Sequence, residues 1–224
     1  MNDGNSRRLG GLARAGIVIG GALLLALFLR SVVFRAYRIE SSSMENTLLA
    51  GDYLMAERVT FGAVVEGPFS SRPLFRLPGI RGPRRGDVVI FRDSTGTELI
   101  KRCVAVGGDS VMLRDNVLYV NGTRFDSTCG RGISLKHARH PRSWSYYQRI
   151  QNYGPHVVAD DHIFVMGDNR DNSEDSRLFG DVSVNQLRGR ALVIYFSHAP
   201  LDSREGIRWD RIGRFPCQSC GTAR

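Results

Sequence analysis

The chain has 224 residues and 42% of them are hydrophobic, which is enough apolar material to bury one sizeable core or two small ones and excludes a disordered tail. The formal net charge of +9 comes almost entirely from arginine, since Lys101 and Lys136 are the chain's two lysines. The arginines are scattered over several loops and no nucleic-acid module accompanies them, so we expect no nucleic-acid partner. Anionic membrane lipid is the partner that this charge favours.

The first apolar stretch predicts a membrane anchor at residues 15–34. No polar side chain occurs from Ala15 to Leu29, and the continuation to Phe34 brings the stretch to the length of about 20 residues that spans a bilayer. A cleavable secretory signal is the alternative, but the stretch is long and no Ala-x-Ala type exit follows it. We therefore expect one retained transmembrane helix.

Arginines before this stretch set the expected orientation. Arg7, Arg8 and Arg14 flank its N-terminal side, and positive residues near a span stay on the cytoplasmic side. Residues 1–14 are then a cytoplasmic tail, and residues 35–224 form a domain on the outer face of the cell (inner) membrane.

Beyond the anchor the pattern is that of β-strands. Short runs rich in β-branched and aromatic residues are separated by Gly, Asp and Asn, and Asn121-Gly122 is a strong hairpin signal. We predict a mainly β fold, an antiparallel β-sheet domain with a smaller inserted β excursion, preceded by the N-terminal transmembrane helix. The excursion is a non-core insertion at about 111–160, and the stretches 62–85 and 129–155 also depart from the core pattern. The predicted strand runs are 52–59, 86–91, 98–106, 110–125, 162–168 and 190–196.

Three serines, Ser41 to Ser43, lie just after the anchor and before an apolar run. Serine clusters are typical of loops and helix caps, and Ser42 or Ser43 could cap a short helix through Thr47 to Leu49. The alternative is a nucleophile, which needs a base. The usual base is histidine, but no histidine of this chain lies in a setting that resembles a catalytic triad. The five are His137, His140, His156, His162 and His198.

Lys101 is the more informative candidate for a base. Strand alternation in "ELIKRCVAV" puts it on the same face as Leu99 and Cys103, with Arg102 on the opposite face. A lysine desolvated among apolar groups gives up its proton far more readily than in water, whereas arginine keeps its proton at ordinary pH. A lysine that simply extends to the strand edge is the alternative.

The segment "MGDNRDNSEDSRLFG" at 166–180 first suggests a calcium loop, but Arg170 falls where a ligand is required and no glycine follows at the sixth position. We therefore expect no metal. Ser173, Asp175 and Arg177 stand two apart, so in extended chain they share a face. There an Asp–Arg pair would brace the loop and the serine hydroxyl would orient a neighbouring amine. An ordinary polar turn is the alternative.

Together these segments resemble the type I signal peptidases, a family of membrane-anchored serine proteases with a Ser-Lys dyad. The family's serine box is matched by Ser41–Met44 and Thr47-Leu48, and its last box by "GDNRDNSEDSRLFG" almost letter for letter. Two further boxes match between them, "RGDVVIF" at 85–91 and "IKRCVAVGGD" at 100–109. Order and spacing agree from the anchor to about Gly213.

The resemblance implies a role for each matched residue. Ser43 is the expected nucleophile and Lys101 its general base, while Ser41 forms the oxyanion hole with the Ser43 backbone N–H. Strand alternation also puts Ser41 and Ser43 on one face and Ser42 on the other. The family implies that Ser173 hydrogen-bonds the lysine amine. The residues expected to hold that loop are Asp175 and Arg177.

The resemblance also implies the substrates, which are exported precursor proteins with signal peptides, and no cofactor. Shallow pockets for small side chains at the substrate positions −1 and −3 are expected, and an extended substrate is expected to add as a β-strand near Asp87–Phe91. The residues expected to line the pockets are Ile39, Met44, Leu48 and Ile100.

Some features depart from the family pattern. Asn46 replaces the usual proline after the methionine, Glu40 stands where proline often precedes the first serine, and the lysine box has Val-Gly-Gly-Asp in place of Leu-Pro-Gly-Asp. These departures remove no reacting group. The C-terminal "PCQSCG" also lies outside the pattern, and a disulfide within Cys217-x-x-Cys220, a pairing with Cys129, and reduced thiols all stay open.

Two other functional classes remain as alternatives. One is a self-cleaving Ser-Lys protein of the repressor-cleavage class, which would be soluble, so the anchor argues against it. The other is a non-enzymatic, membrane-tethered binding module for lipid or acidic polypeptide. The second class predicts that Ser43→Ala leaves the cellular function unchanged.

Overall fold

The computed structural model describes residues 14–23, 33–67, 70–125, 151–199 and 206–216. Residues 14–23 are helical, and no helix of the described residues is long and apolar enough to cross a membrane. The transmembrane helix therefore stays a prediction. Most of the stretch 129–155 lies outside the described residues. The same holds for Cys129, Cys217 and Cys220, His137 and His140.

Each of the six runs expected to be strands contains at least one, so the mainly β fold is confirmed. In chain order the strands are β1 (Phe34–Arg38), β2 (Asp52–Glu57), β3 (Val64–Gly67), β4 (Ser70–Arg76), β5 (Val88–Arg92), β6 (Glu98–Val106), β7 (Ser110–Arg114), β8 (Val117–Val120), β9 (Thr123–Arg124), β10 (Tyr153–Val157), β11 (His162–Met166), β12 (Val182–Ser183) and β13 (Leu187–Ser197). A short α-helix spans Ser176–Phe179, and 3₁₀ turns span Arg170–Asn172, Val184–Gln186 and Trp209–Arg211.

The main sheet has seven strands in the order β1-β2-β13-β5-β6-β11-β12. Every neighbouring pair in it is antiparallel. Strand β1 leads directly into the serine segment, β6 carries Lys101, and β11 leads into the segment that begins at Gly167. The sheet thus brings together three segments that are far apart in the chain.

Two smaller sheets lie outside this main sheet. Strands β10-β7-β8-β9 form a four-stranded sheet, and its buried side chains, Val111 and Leu118 among them, belong to one hydrophobic cluster with Val104 and Phe164 of the main sheet. Its β8–β9 hairpin turns at Asn121 and Gly122, with φ of 53° and 75°, which fits the two-residue turn that Asn-Gly favours. Strands β3 and β4, within the stretch 62–85, form a separate two-stranded sheet.

A hydrophobic cluster packs beneath the serine segment and fixes its position. Met44 and Leu48, from that segment, are 2% and 0% exposed, and they pack with residues of the main sheet such as Leu54, Ile90 and Ile194. Complete burial of a leucine side chain stabilises the fold by about 1.5–3 kcal/mol. Ile39, which precedes Ser43, belongs to the same cluster, so the turns that hold Ser43 are anchored to the sheet by packing on both sides of the nucleophile candidate.

The expected substrate position near Asp87–Phe91 is wrong, because β5 is a central strand. It pairs with β6 on one side and with β13 on the other, so its backbone groups are already used in the sheet. An unpaired stretch occurs instead in β6. The pairing of β6 with β11 covers Arg102 to Val106, and among the described residues Glu98–Lys101 have no strand partner on that side.

Candidate active site

Ser43 and Lys101 lie within hydrogen-bonding distance although they are 58 positions apart. Lys101 Nζ is 2.8 Å from Ser43 Oγ, and the two residues are 4% and 8% exposed respectively. Ser43 sits in a series of turns in which the Glu45 N–H donates to the Ser42 carbonyl at 3.0 Å and the Leu48 N–H donates to the Met44 carbonyl at 2.8 Å. The segment therefore forms turns and not the short capped helix considered above.

Burial lowers the pKa of the Lys101 amine below its ordinary value of 10.5, because the charged form is poorly solvated in the protein. The carboxylates of Asp175, Glu174 and Asp168 act in the opposite direction, but burial is the larger effect. A neutral amine at this distance accepts the hydroxyl proton of Ser43. The pair can therefore act as a nucleophile with its general base.

Ser41 lies beside the nucleophile candidate, but not for the reason that strand alternation gave. Residues 41–48 form turns, so the alternation argument is wrong for this segment. The Ser43 backbone N–H donates to Ser41 Oγ at 3.2 Å, whereas Ser42 Oγ accepts a hydrogen bond from Asn172 Nδ2 at 2.8 Å. The turn thus directs the two hydroxyl groups to different partners: the Ser41 hydroxyl contacts the Ser43 backbone, and the Ser42 hydroxyl contacts Asn172.

The loop after β11 clamps the backbone of the serine segment. The Asn169 N–H donates to the Ser43 carbonyl at 3.0 Å, and Asn169 Nδ2 donates to the Ser42 carbonyl at 3.1 Å. Gly167 allows the close approach, since a Cβ at this position would lie 2.2 Å from Ser173 Oγ and 2.5 Å from the Ser43 carbonyl oxygen. The last box of the sequence therefore holds the nucleophile candidate in place as well as standing near it.

A buried ion pair beneath the site was not foreseen from the sequence. Arg102 Nε and Nη2 donate to the two oxygens of Asp168 at 2.8 and 2.6 Å, and both side chains are fully buried. Thr47 Oγ1 also donates to Asp168 at 2.5 Å. Arg102 does point away from Lys101 as expected, but to a buried carboxylate. Asp168 lies just beyond the end of β11 and comes close to Arg102 because Met166 pairs with Arg102 in the sheet. This pairing register could not be predicted from the sequence.

Asp175 and Arg177 form the second buried pair. Arg177 Nε and Nη2 donate to the Asp175 oxygens at 2.8 and 2.9 Å, and the Gly167 N–H also donates to Asp175 at 3.0 Å. Burial raises the pKa of Asp175, but Arg177 and these hydrogen bonds outweigh it and hold the pKa below its ordinary value. Arg177 lies in the short helix and not in extended chain, so the pair meets because Asp175 caps that helix.

Ser173 is buried in this loop at 1% exposure. Its Oγ has no partner of hydrogen-bond geometry among the residues that the structure describes, so the expected bond to the Lys101 amine is not made there. The hydroxyl lies close enough to Asp175 to help lower the pKa of that carboxyl group. The contribution of Ser173 to holding Lys101 therefore stays a proposal.

Two clefts meet at Ser43 and Lys101. Cleft A has a volume of about 290 Å³ and is lined by Ile39, Met44 and Ile100, among others. Leu48 does not line it, because its side chain is fully buried in the core beneath Met44. Cleft B has a volume of about 420 Å³. Its lining is formed by Ser41, Ser42, Ser43, Asp93, Leu99, Lys101, Asn172, Glu174 and Phe179.

The three histidines within the described ranges have other contacts. His156 lies 2.8 Å from Asp181, His162 contacts the Asp160 carbonyl, and His198 contacts the Ala199 carbonyl. None of the three lines a cleft that contains Ser43. Across the described part of the chain, no group of three or more His, Cys, Asp or Glu residues is placed to hold a metal ion.

The fold and the site define a class, a β-sheet protein with a buried serine–lysine pair at the meeting point of two open clefts. A profile of the family described as "Signal peptidase, peptidase S26" matches residues 12–196. The chain belongs to this family and is a serine peptidase, a hydrolase.

Relatives agree with this assignment. "Probable signal peptidase I-2" of Synechocystis sp. is 31% identical, over 78% of this chain and 69% of the relative. The signal peptidase I of Aquifex aeolicus is 29% identical, over 78% of this chain and 80% of the relative. A solved signal peptidase I from Enterococcus faecalis V583 is 27% identical and covers 50% of this chain, with a TM-score of 0.39. We base the family assignment on the sequence matches.

Proposed function

We propose that this protein removes N-terminal signal peptides from exported precursor proteins by a Ser-Lys dyad mechanism, cutting after small residues. The observation that supports the dyad best is the 2.8 Å contact between Lys101 Nζ and Ser43 Oγ. Both groups are buried, yet both line the two clefts. The reacting atoms are thus shielded from bulk water and still open to an extended chain.

In the first half of the reaction, neutral Lys101 takes the Ser43 hydroxyl proton as Oγ attacks the scissile carbonyl carbon. The tetrahedral intermediate collapses, and the lysine gives the proton to the departing amine of the mature protein. In the second half, Lys101 takes a proton from water, which attacks the acyl carbon and releases the signal peptide. Ser43 then recovers its proton from the lysine.

Ser41 supplies the oxyanion contact in this scheme. Its oxygen accepts from the Ser43 N–H at 3.2 Å, so its own hydroxyl proton is directed elsewhere and can donate to the developing oxyanion. A distance of 3.2 Å is at the long end of the range for such a bond, so in this proposal the Ser43 N–H exchanges this acceptor for the oxyanion when the substrate binds. One donor of this kind is worth about 3 kcal/mol in the transition state.

The precursor lies as an added strand along Glu98–Lys101 in this proposal. This stretch of β6 is unpaired on the side that faces away from β5 among the described residues, and strand addition uses such edges. Cleft A then receives the substrate residues before the scissile bond. Ile39, Met44 and Ile100 line this cleft of about 290 Å³, and the preference for small side chains such as alanine at the −1 and −3 positions is the one that the family resemblance implies.

The loop after β11 has a supporting role in the same proposal. Asp175 and Arg177 brace it through their buried bidentate pair, and Ser173 contacts the Lys101 amine once that amine moves toward the substrate. These residues position the base and do not react.

A membrane anchor at the N-terminus completes the proposal. A single span at 15–34 would place residues 1–14 in the cytoplasm and the catalytic domain on the outer face. The enzyme would then be held at the membrane that exported precursors cross. Protease added outside spheroplasts should then digest the domain after Phe34. Protection of that domain would contradict the proposed orientation.

The proposal is tested by incubating the detergent-solubilised full chain with a precursor and locating the cut by mass. We expect cleavage after a small residue, and no cleavage by Ser43→Ala at equal folding. An intact precursor with the unmodified enzyme, or equal cleavage by Ser43→Ala, would contradict the function. The binding-module alternative predicts an intact precursor in this assay, and in cells it predicts that Ser43→Ala keeps the phenotype of the unmodified protein.

A further inference from the structure

Cleft B has no role in the mechanism above, although it opens on the reacting atoms. It shares Ser43 and Lys101 with cleft A. A bound precursor has its scissile carbonyl at Ser43 Oγ, so the residues before the bond and those after it must leave by different clefts. If cleft A holds the small residues of the signal peptide, cleft B receives the first residues of the mature protein.

The charge of cleft B differs from that of the chain as a whole. The chain carries a formal charge of +9, but Asp93 and Glu174 both line this cleft, and Lys101 is the one basic side chain in the described lining. Lys101 must be neutral when it acts as the base. At that stage Asp93 and Glu174 carry the formal charge among the described lining residues.

Both carboxylates are held where they can act on a substrate. Asp93 Oδ1 accepts hydrogen bonds from the backbone N–H groups of Thr95 and Thr97 at 2.8 and 2.9 Å. The Thr95 hydroxyl bond lowers the pKa of Asp93, so this group is ionised at neutral pH. Glu174 is exposed, and its charge acts on the amine of Lys101, which places it within electrostatic reach of the reacting atoms.

We propose that Asp93 and Glu174 make cleft B a cation-selective subsite that favours a basic side chain at the first two positions of the released chain and disfavours an acidic one. This inference rests on the proposed function. The apolar part of the lining fits the same ligand, because Phe179 is 45% exposed and Leu99 lines the same cleft. The aliphatic stem of lysine or arginine packs on such surfaces while the charged end reaches a carboxylate.

The test uses the full chain in detergent and peptides that share one signal-peptide half. Lysine, glutamine or glutamate is placed at position +1 in one set and at position +2 in another, and kcat/KM is measured for each. We expect lysine to be favoured over glutamate by about two- to five-fold at low ionic strength, in the range of exposed charge pairs. The preference should shrink in high salt, because screening weakens both attraction and repulsion.

Two variants that remove a negative charge test whether cleft B causes the preference for lysine over glutamate. Glu174→Gln and Asp93→Asn should each reduce the lysine-to-glutamate ratio, and together they should bring it close to one. Asparagine keeps the acceptor oxygen that the turn at Asp93 requires. Loss of the Glu174 charge also changes Lys101, but that effect is common to all the peptides and cancels in the ratio. Asp160→Asn, at an exposed position that lines neither cleft, is the matched control and should keep the full ratio.

The outcomes separate this inference from the proposed function. Equal cleavage of lysine and glutamate peptides by the unmodified enzyme would leave the function intact and overturn the subsite. A ratio that persists in the double variant would overturn it as well. If no peptide is cleaved, including the glutamine peptides, the proposed function fails and the subsite with it.

Discussion

Asp168→Asn should destabilise the folded protein strongly, although it replaces one carboxylate oxygen by an amide group of similar size. Asp168 accepts two hydrogen bonds from Arg102 and one from Thr47, and the ion pair is fully buried. An asparagine removes the negative charge and leaves the Arg102 guanidinium charge buried without its counter-ion. Removal of one partner of such a pair costs about 3–5 kcal/mol.

The measurement is thermal unfolding of the full chain in detergent. A loss of this size should lower Tm by roughly 6–20 °C in a domain of 150–250 residues. Asp210→Asn is the matched control, because its pair with Arg214 is exposed and should contribute no more than about 1 kcal/mol. If Asp168→Asn lowers Tm no more than Asp210→Asn does, the buried pair does not hold the site as we argue.

Three further predictions concern the serine segment and its clamp. Ser41→Ala should lower kcat by roughly 10²- to 10³-fold with an unchanged Tm, while Ser42→Ala should do little; equal losses would refute the oxyanion role of Ser41. Gly167→Ala should reduce both precursor cleavage and Tm, because its Cβ would clash with the Ser43 carbonyl. Full activity would mean that the loop after β11 does not hold the backbone at Ser43. Asn46→Pro should lower Tm where Asn46→Gly does not, since Asn46 has a φ of 89° that proline cannot adopt; a stable Asn46→Pro protein would show that the turn follows another path.

The strands could be predicted from the sequence because their signal is local. Alternating apolar residues and turn residues such as Asn121-Gly122 specify where a strand begins and ends. The order of strands is a different kind of information, since it depends on pairings between distant segments. This is why Asp87–Phe91 was correctly read as a strand but wrongly expected to offer an edge.

The site shows the same division. Lys101 stood out because a chain rich in arginine has a lysine at one apolar strand position, and the structure places that amine beside Ser43. The Arg102–Asp168 pair could not be found in this way, because it depends on the register of β11 against β6. The turns from Ser43 to Thr47 were equally hidden, since the serine alternation assumed that the chain around Ser43 is extended.

The pH dependence of precursor cleavage by Lys101 variants tests the central claim most directly. If Lys101 acts as a neutral base, kcat/KM of the unmodified enzyme should rise with pH along a limb whose apparent pKa lies below the ordinary 10.5, as burial predicts. Lys101→Arg should be nearly as inactive as Lys101→Met at every pH tested, because arginine keeps the charge but does not release its proton. Substantial activity in a folded Lys101→Arg protein, or in Lys101→Met while a histidine variant is inactive, would contradict the dyad and return a histidine to the role of base.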